Sequence, residues 1–278
     1  MPLYISSLNS GSNGNCYYIG NHDDAVFIDA GISCRETERR MARSGLDMNK
    51  IRAVFISHEH SDHIRGAEFI SRKFKVPIYI SQGTYARCRF NIDPKLLRHF
   101  DPYQVVSIGD LNITAFPKQH DASDPHSFII TGNGITVGVL TDIGAPCENV
   151  VTNFRLCHAA FLEANYDDEM LENGRYPVYL KKRIRGDHGH LSNHQSLSLF
   201  TEHRPGFMSH LLLSHLSQDN NNPNLVENLF RRHAGNVHVS IASRHYESKV
   251  YCITGDTAGI QENKIEEISL KQVQLRLF

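Results

Sequence analysis

The 278-residue sequence lacks the features that mark secreted and membrane-bound proteins. No apolar run approaches the roughly 20 residues needed to span a bilayer. Residues 1–11 show no basic segment followed by a long apolar stretch, which argues against a secretory signal. The six cysteines are scattered and contain no CxxC pair, a pattern typical of reduced thiols and not of a disulfide framework or a zinc ribbon. These absences predict a cytoplasmic protein without membrane association.

The charge balance is nearly neutral, which limits the classes of partner. The formal net charge is −1 and the isoelectric point is about 7.0. The chain as a whole is therefore not a basic nucleic-acid binder, and any such binding would need a local patch. With 40% hydrophobic and 21% charged residues, the composition is that of a globular protein with a sizeable core. No repeat, low-complexity tract or linker divides the chain, so we expect one domain.

Apolar patterns predict an α/β fold with most strands in the first half. Strand-like runs such as PLYISSL, CYYIG and DAVFIDAG are separated by turn-forming stretches. The second half alternates strands such as AAFLEA and HLLLSHL with helices. This order predicts two sheets covered by helices. The predicted helices are Glu36–Ser44, residues 62–74 with Asp62 at the N-cap, Thr84–Phe90, VYLKKRIRG, HQSLSLFTEHR and LVENLFRRH.

The stretch ISHEHSDHIRG, residues 56–66, concentrates candidate metal ligands. His58 and His60 alternate, so on an extended strand end their side chains point the same way. Asp62 and His63 follow at the turn into a helix, where they can turn back toward the same point. Imidazole and carboxylate groups suit Zn²⁺ or Mn²⁺, and no thiolate biases the choice. The alternative is a solvated histidine-rich loop, but four ligands in six residues directly after a buried strand favour a metal site.

Three further candidate ligands follow apolar runs. They are His120 in FPKQHDA, Asp142 in VLTDIG and His215 in LLLSHLS. A strand before each residue would bring its side chain to the edge of a sheet. A carboxylate such as Asp142 can bridge two ions about 3.5–4 Å apart. Together with the histidine cluster, these residues predict a two-metal site.

The N-terminal stretch NSGSNGNC, residues 9–16, has the composition of a tight turn. It lacks the G-x-x-x-x-G-K-[ST] pattern and precedes a strand instead of a helix, which argues against a nucleotide-binding P-loop. We expect this turn to bring backbone close to the cleft.

The motif HxHxDH, followed by a His, an Asp and a His at strand ends, resembles the metallo-β-lactamase fold superfamily over essentially the whole chain. VFIDAG matches that superfamily's first motif. More narrowly, SGSNGNCYYIGN, IDAGISCRE, ISHEHSDHIRG, LEANYD, GHLSN and HLSQDNN resemble the YycJ/WalJ (VicX) branch. That branch is similar to the tRNA-processing ribonuclease Z and is associated with DNA exonuclease activity. The resemblance implies an αββα sandwich and two divalent metal ions, Zn²⁺ or Mn²⁺, as cofactors.

The resemblance also implies a role for each motif residue. Asp62 would orient or deprotonate the attacking water, and His190, in GDHGHLSNHQS, would donate a proton to the leaving oxygen. The alternative for His190 is a cap on the helix that begins near residues 192–193. The implied ligands are His58, His60 and His120 for one ion, Asp62, His63 and His215 for the other, with Asp142 bridging both and Asp29 supporting them from behind.

The substrate is less constrained, because one metal centre can hydrolyse phosphodiesters, thioesters, lactones or β-lactams. Cationic side chains close in sequence to His190 favour a phosphodiester, since they can hold phosphate oxygens. For any one of these residues the alternative is a solvent-exposed helix face or a turn. The candidate phosphate contacts are Lys181, Lys182, Arg183, Arg185 and Asn221.

The spacing between two candidate ligands distinguishes nucleases of the superfamily that carry a β-CASP insertion from those that lack one. Only 72 residues lie between Asp142 and His215, which is too few for a β-CASP insertion. We therefore predict a metal-dependent hydrolase of nucleic acid, a DNA exonuclease working 5′ to 3′ in DNA repair or replication. The alternatives are an RNA-processing nuclease, a hydrolase of small thioesters or lactones, and a non-catalytic scaffold.

The last residues suggest a partner. We divide the chain into a catalytic domain, residues 1–270, and a tail, residues 271–278. The sequence Gln274-Leu275-Arg276-Leu277-Phe278 resembles the QLxLF peptide with which bacterial replication and repair enzymes bind the DNA sliding clamp. Gln274, Leu275, Leu277 and Phe278 would make the contacts. The alternative is a final edge strand, because Val273, Leu275 and Leu277 alternate.

Overall fold

The computed structural model describes residues 1–255, which form fourteen strands and nine α-helices. The strands are β1 (Leu3–Asn9), β2 (Cys16–Gly20), β3 (Ala25–Ile28), β4 (Ile51–Phe55), β5 (Ile78–Ile80), β6 (Leu97–His99), β7 (Val105–Ile108), β8 (Leu111–Pro117), β9 (His126–Gly132), β10 (Ile135–Leu140), β11 (Ala159–Glu163), β12 (His210–Ser214), β13 (His238–Ile241) and β14 (Tyr251–Ile253). The helices are α1 (Cys34–Arg43), α2 (Ser61–Ile64), α3 (Ala67–Phe74), α4 (Gln82–Tyr85), α5 (Glu148–Phe154), α6 (Asp168–Asn173), α7 (Val178–Arg185), α8 (Asn193–His203) and α9 (Pro223–Arg231).

The strands form two seven-stranded sheets with matching organisation. The first has the order β14-β1-β2-β3-β4-β5-β6 and the second β13-β12-β11-β10-β9-β8-β7. In each sheet an antiparallel part continues into a parallel part. The parallel pairs run from β3 to β6 in the first sheet and from β10 to β13 in the second. The inner parallel strands β3, β10, β11 and β12 are almost entirely buried, which agrees with their nearly continuous apolar runs, whereas the edge strands β6 and β13 are partly exposed.

Packing of alternate strand residues produces four layers. On β4, Phe55 faces the core between the two sheets, whereas its neighbour Val54 packs under the helices α1 and α3. The ring of Phe55 meets that of Phe128 from the opposite sheet, with centroids 5.9 Å apart. Burying one such ring stabilises the fold by about 1.5–3 kcal/mol. The second sheet is covered on its outer face by α5, α8 and α9. The predicted αββα sandwich is confirmed.

Several predicted helices differ in detail. Residues 62–74 form two helices, α2 and α3, because the chain packs tightly at Gly66, whose amide donates to the carbonyl of Ala30 (2.7 Å). Asp62 is not an N-cap, since α2 begins at Ser61 and His60 holds the N-cap position. The helix predicted at Thr84–Phe90 is only the single turn α4. Strand β6 and helices α5 and α6 were not predicted at all.

The remaining expectations concern chain organisation. Between Asp142 and His215 lie β11, α5–α8 and β12, which leaves no room for a β-CASP domain. The six cysteines are all free thiols. In residues 1–255 no helix combines the length and apolarity required to cross a bilayer. The boundary at residue 270 and the tail at 271–278 lie outside the described residues.

Candidate metal centre and catalytic cleft

The carboxyl ends of strands from both sheets, most of them parallel, meet at one cleft, the usual place for ligands in α/β folds. The residues at these ends include all seven predicted ligands, and the structure brings them together. Asp29 follows β3, residues 57–63 follow β4, His120 follows β8, Asp142 follows β10, Glu163 ends β11 and His215 follows β12.

Three of these residues turn the chain sharply where their strands end. Asp29, Asp142 and His215 adopt left-handed backbone conformations, with φ of 60°, 55° and 57°. Such angles are uncommon outside glycine and cost on the order of 1–3 kcal/mol each. Hydrogen bonds hold two of the turns: the amide of Asp29 donates to Phe55 (2.8 Å) and that of His215 donates to Ser10 Oγ (2.7 Å). The strained backbone at these three positions therefore helps to shape the cleft.

One group of donors consists of His58, His60 and His120. Their ligand nitrogens all lie within 4.8 Å of one another. His58 Nε2 and His60 Nδ1 are 3.0 Å apart. His120 donates from Nδ1 to the carbonyl of Gly189 (3.0 Å), which directs its Nε2 toward the other two rings. His58 and His120 are buried, so their orientation is fixed by packing.

A second group consists of Asp62, His63 and His215, with Asp142 between it and the first. His63 Nε2 lies 3.6 Å from Asp62 Oδ2 and 3.3 Å from Asp142 Oδ2. His215 Nε2 lies 3.7 Å from Asp62 Oδ2 and 3.4 Å from Asp142 Oδ1. His120 Nε2 approaches Asp142 Oδ1 at 3.9 Å from the other side. Asp142 thus faces both groups.

These distances fit metal coordination. Ligand bonds of about 2.0–2.1 Å in a tetrahedral zinc site place donor atoms about 3.3 Å apart, close to the separations in both groups. Within residues 1–255, the buried atoms His120 Nε2, Asp142 Oδ2 and His215 Nε2 make no hydrogen bond. Buried polar atoms without partners are rare unless an ion or water satisfies them. The fold and these donors fit divalent metal ions.

The electrostatics of the cleft divide the histidines into two kinds. Burial lowers the pKa of His58, and it lowers that of His120 to about 3, so both imidazoles are neutral. Burial would also lower the pKa of His63 and His215. Nearby carboxylates, Asp142 foremost, outweigh it and raise the pKa of His63 well above its usual value and that of His215 to about 10.

Side chains behind the ligands fix their orientation. Asp29 is fully buried and accepts hydrogen bonds from His63 Nδ1 (2.7 Å), Ser57 N (2.8 Å) and Ser57 Oγ (2.8 Å). Ser57 Oγ also lies 2.9 Å from His58 Nδ1. A carboxylate on Nδ1 leaves Nε2 of His63 as its ligand atom, the usual arrangement behind metal-binding histidines. This geometry agrees with the supporting role expected for Asp29.

The short helix α2 is clamped from two sides. The carbonyl of Asp62 accepts from Asn15 N (2.7 Å) and that of His63 accepts from Ala30 N (2.8 Å). The side-chain amide of Asn15 lies 3.0 Å from His63 Nε2, so the N-terminal turn approaches the cleft as expected. At Gly31 a Cβ atom would lie only 1.6 Å from the carbonyl oxygen of Asp62. Only glycine permits this approach.

Sequence reasoning missed Glu163, a fully buried carboxylate at the centre of the cleft wall. Its Oε1 accepts from His190 Nδ1 (2.7 Å) and His215 Nδ1 (3.1 Å). Its Oε2 accepts from the amides of Ile143 (2.7 Å) and Leu191 (3.2 Å). Burial would raise the pKa of Glu163, but the two histidines, His190 foremost, lower it to about 2. Its position as the one charged residue of the apolar run AAFLEA was the available signal.

His190 lies in the cleft and not on a helix end. The N-cap of α8 is Ser192, which forms a capping box with Gln195. The imidazole of His190 has its ring centroid 5.2 Å from those of His120 and His215. The capping alternative is therefore excluded, and His190 adjoins both donor groups.

A cavity of about 220 Å³ opens over His190 and His215 and is bordered by α7. Arg183 lines it and pairs with Asp121 across the opening. The other basic residues of α7 lie outside this lining: Lys181 donates to the carbonyl of Glu172, Arg185 pairs with the Glu172 carboxylate, and Lys182 is exposed.

Asn221 does not fit its predicted phosphate contact. Its side chain is buried and donates to the carbonyls of Ala164 (2.8 Å) and Asn165 (3.0 Å). Its oxygen accepts from Asn193 Nδ2 (3.0 Å). With both ends of the amide used, Asn221 ties the loops after β11 and β12 to α8.

Comparisons with known proteins agree with this geometry. A family described as Beta-lactamase superfamily domain matches residues 25–215. The chain is 33% identical over 226 residues to exodeoxyribonuclease YycJ of Bacillus anthracis, covering 80% of this chain and 85% of that protein. It is 28% identical over 258 residues to exodeoxyribonuclease WalJ of Streptococcus pneumoniae, covering 91% and 95%.

Among solved structures, the metallo-β-lactamase fold protein YhfI of Bacillus subtilis matches with a TM-score of 0.70 at 18% identity, over 90% of this chain and 99% of that one. This likeness concerns the fold, whereas the sequence matches establish the family. The resemblance drawn from the motifs is confirmed. The chain belongs to the metallo-β-lactamase superfamily, as a relative of YycJ and WalJ.

Proposed function

We propose that this chain is a dinuclear-metal phosphodiesterase that cleaves nucleic acid, and specifically a DNA exonuclease acting 5′ to 3′. The observation that carries the proposal is the cleft itself: two donor groups share Asp142, and His190 adjoins both while Glu163 holds its Nδ1. DNA as the substrate is supported by the names of the two relatives, both exodeoxyribonucleases.

One ion would be held by the first donor group and one by the second, with Asp142 serving both. Nitrogen and oxygen donors without thiolate suit Zn²⁺ or Mn²⁺. When bound, such ions make water a nucleophile at neutral pH and neutralise the charge that develops on phosphate.

Asp62 is the proposed proton acceptor for the attacking water. Its carboxylate is half-buried at the cleft, beside His63 and His215. Burial would raise the pKa of Asp62, but His63 and His215 lower it, so the group stays ionised. An ionised carboxylate that faces the cleft can accept a hydrogen bond from water and orient it toward phosphorus.

His190 is the proposed general acid. Its Nδ1 donates to Glu163, so Nε2 is the nitrogen that can protonate the leaving oxygen. The buried carboxylate of Glu163 holds the imidazole in this orientation through that hydrogen bond. Arg183, at the rim of the same cavity, can leave Asp121 to bind a phosphate oxygen. Lys181, Lys182 and Arg185 would add positive potential on the same helix.

A substrate panel tests the proposal. Metal-loaded protein is incubated with labelled single-stranded DNA, RNA of the same sequence, and a set of small thioesters and lactones, each with Mn²⁺ and with Zn²⁺. We expect mononucleotides from DNA and slower cleavage of RNA. Faster cleavage of RNA would indicate an RNA-processing nuclease, and turnover of thioesters alone would indicate a small-molecule hydrolase.

We further propose that Gln274–Phe278 bind the sliding clamp, with Gln274, Leu275, Leu277 and Phe278 as the contacts. This tail lies outside the described residues, and its sequence alone supports the proposal. Clamp binding would bring the enzyme to DNA under replication or repair. A cytoplasmic location stays a prediction of the sequence.

A further inference from the structure

A second groove lies between α1 and α3 on the outer face of the first sheet, and the proposed mechanism does not use it. Its volume is about 520 Å³. Four cationic side chains and one carboxylate line it together with an aromatic ring. The lining side chains that matter here are Arg35, Arg65, Arg72, Lys73, Glu38 and Phe69.

The ring of Phe69 is unusually accessible for a large apolar side chain, with 52% of its surface exposed. The guanidinium of Arg72 lies over this ring, 4.9 Å from its centroid. Lys73 pairs with Glu38 and Arg72 pairs with Glu68 (3.4 Å), whereas Arg35 is exposed and has no ion-pair partner within residues 1–255. The groove therefore combines an open stacking surface with a net positive charge.

The groove begins next to the proposed catalytic carboxylate. Arg65 follows Asp62 by three positions at the end of α2, and side chains three apart on a helix are neighbours, about 5–6 Å apart at Cβ. Arg65 also donates to the carbonyl of Asn13 (3.3 Å), in the turn whose Asn15 contacts Asp62 and His63. Arg65 therefore borders the groove and also contacts the turn that reaches the cleft.

We propose that this groove binds the single nucleic-acid strand that continues beyond the cleaved bond. A base would stack on the Phe69–Arg72 pair, and phosphates would contact Arg65 and Arg35. Aromatic rings flanked by cations are the usual means of binding single strands without sequence preference. An acidic peptide would satisfy the charges but would gain little from an open aromatic face. The inference rests on the proposed nuclease function for its choice of ligand.

Binding to a strand long enough to reach the groove tests the inference. Full-length, metal-loaded protein is titrated into a nuclease-resistant phosphorothioate 12-mer of thymidylate, and anisotropy gives the Kd. Stacking of one base contributes about 1–3 kcal/mol, so Phe69→Ala should weaken binding at least about fivefold. Arg65→Gln should also weaken binding and reduce the salt dependence by about 0.7 in log Kd per log salt, the loss of one phosphate contact.

Matched controls lie away from the groove. Phe207→Ala removes a part-exposed ring that packs on His158, and Arg231→Gln removes a cation paired with Glu227 on α9. Both controls should bind the 12-mer like the wild type. For the unmodified substrates, Phe69→Ala should lower kcat/KM on the 12-mer at least about fivefold relative to kcat/KM on the dinucleotide TpT, which is too short to span cleft and groove.

The outcomes separate this inference from the proposed function. Wild-type affinity for the 12-mer in both groove variants would overturn the groove even if DNA is cleaved. The groove proposal would also be overturned if the groove variants lost binding to polyglutamate, a model acidic peptide, but kept binding to DNA. Conversely, if the groove variants bind the 12-mer weakly but the wild type cleaves no nucleic acid, the groove stands and the nuclease proposal fails.

Discussion

Replacing Glu163 with Gln tests the proposed role of His190 as the general acid. The carboxylate accepts from His190 Nδ1 at 2.7 Å and from His215 Nδ1 at 3.1 Å, while its other oxygen accepts from two backbone amides. A Gln side chain must turn its amide group toward either the two amides or the two imidazoles. In both orientations at least one donor faces another donor, and the negative charge is lost.

The size of the expected rate loss follows from the hydrogen bond between His190 and the Glu163 carboxylate, which the substitution removes or weakens. A hydrogen bond to a charged group contributes about 1.5–3 kcal/mol, which corresponds to about 10- to 150-fold in rate. We therefore expect kcat/KM for single-stranded DNA to fall by that factor in Glu163→Gln. The loss should be several-fold smaller on p-nitrophenyl thymidine 5′-phosphate, because p-nitrophenolate leaves without protonation.

The assay compares initial rates on both substrates and measures bound metal, because Glu163 also orients His215. Glu227→Gln, which removes only an exposed pair with Arg231, is the matched control and should be unchanged. Equal losses on the two substrates would refute an action through His190. Wild-type rates on both would refute any role for the buried carboxylate.

Four further predictions follow from the cleft and the tail. Asp62→Ala should nearly abolish turnover of DNA in metal-replete buffer, and near-normal rates would contradict its role as proton acceptor. Gly31→Ala should lower the melting temperature by several degrees, since overpacking costs about 1–3 kcal/mol, whereas Gly206→Ala, with open space around it, should not. Zinc binding at pH 7 should release protons, because the pKa of His215 is about 10 without metal and a protonated imidazole must lose its proton before it can bind zinc. Calorimetry in buffers of different ionisation enthalpy measures this release. Zinc affinity should rise as the pH approaches 10. Removing residues 274–278 should abolish clamp binding in a pull-down but leave nuclease turnover intact. Unchanged clamp affinity would contradict the proposal that the tail binds the clamp.

The candidate ligands were predictable because their signal in the sequence is local. His58, His60, Asp62 and His63 fall within six positions, and Asp142 and His215 each follow an apolar run that can only be a buried strand. The geometry of such a short motif can be predicted from its spacing, because the same residues form the strand end and the turn that position its side chains.

What the sequence did not reveal depends on contacts between distant segments. Glu163 accepts hydrogen bonds from His190 and His215, which lie 27 and 52 positions away in the sequence. The local sequence LEANYD does not indicate either contact. The break between α2 and α3 arises because the backbone near Gly66 packs against residues 30–32, a tertiary contact that overrides helical periodicity. Asn221 looked available in an Asn-rich turn, but its amide is used up by loops from two other strands.

The most direct test of the account is DNA cleavage measured against metal content. Chelator-stripped protein is titrated with Mn²⁺ or Zn²⁺, bound metal is counted per chain, and 5′-labelled single-stranded DNA is the substrate. We predict no cleavage without metal and maximal cleavage at two ions per chain, with His63→Ala inactive at every loading. Full activity in the stripped protein, or no phosphodiester cleavage at any loading, would contradict a dinuclear nuclease.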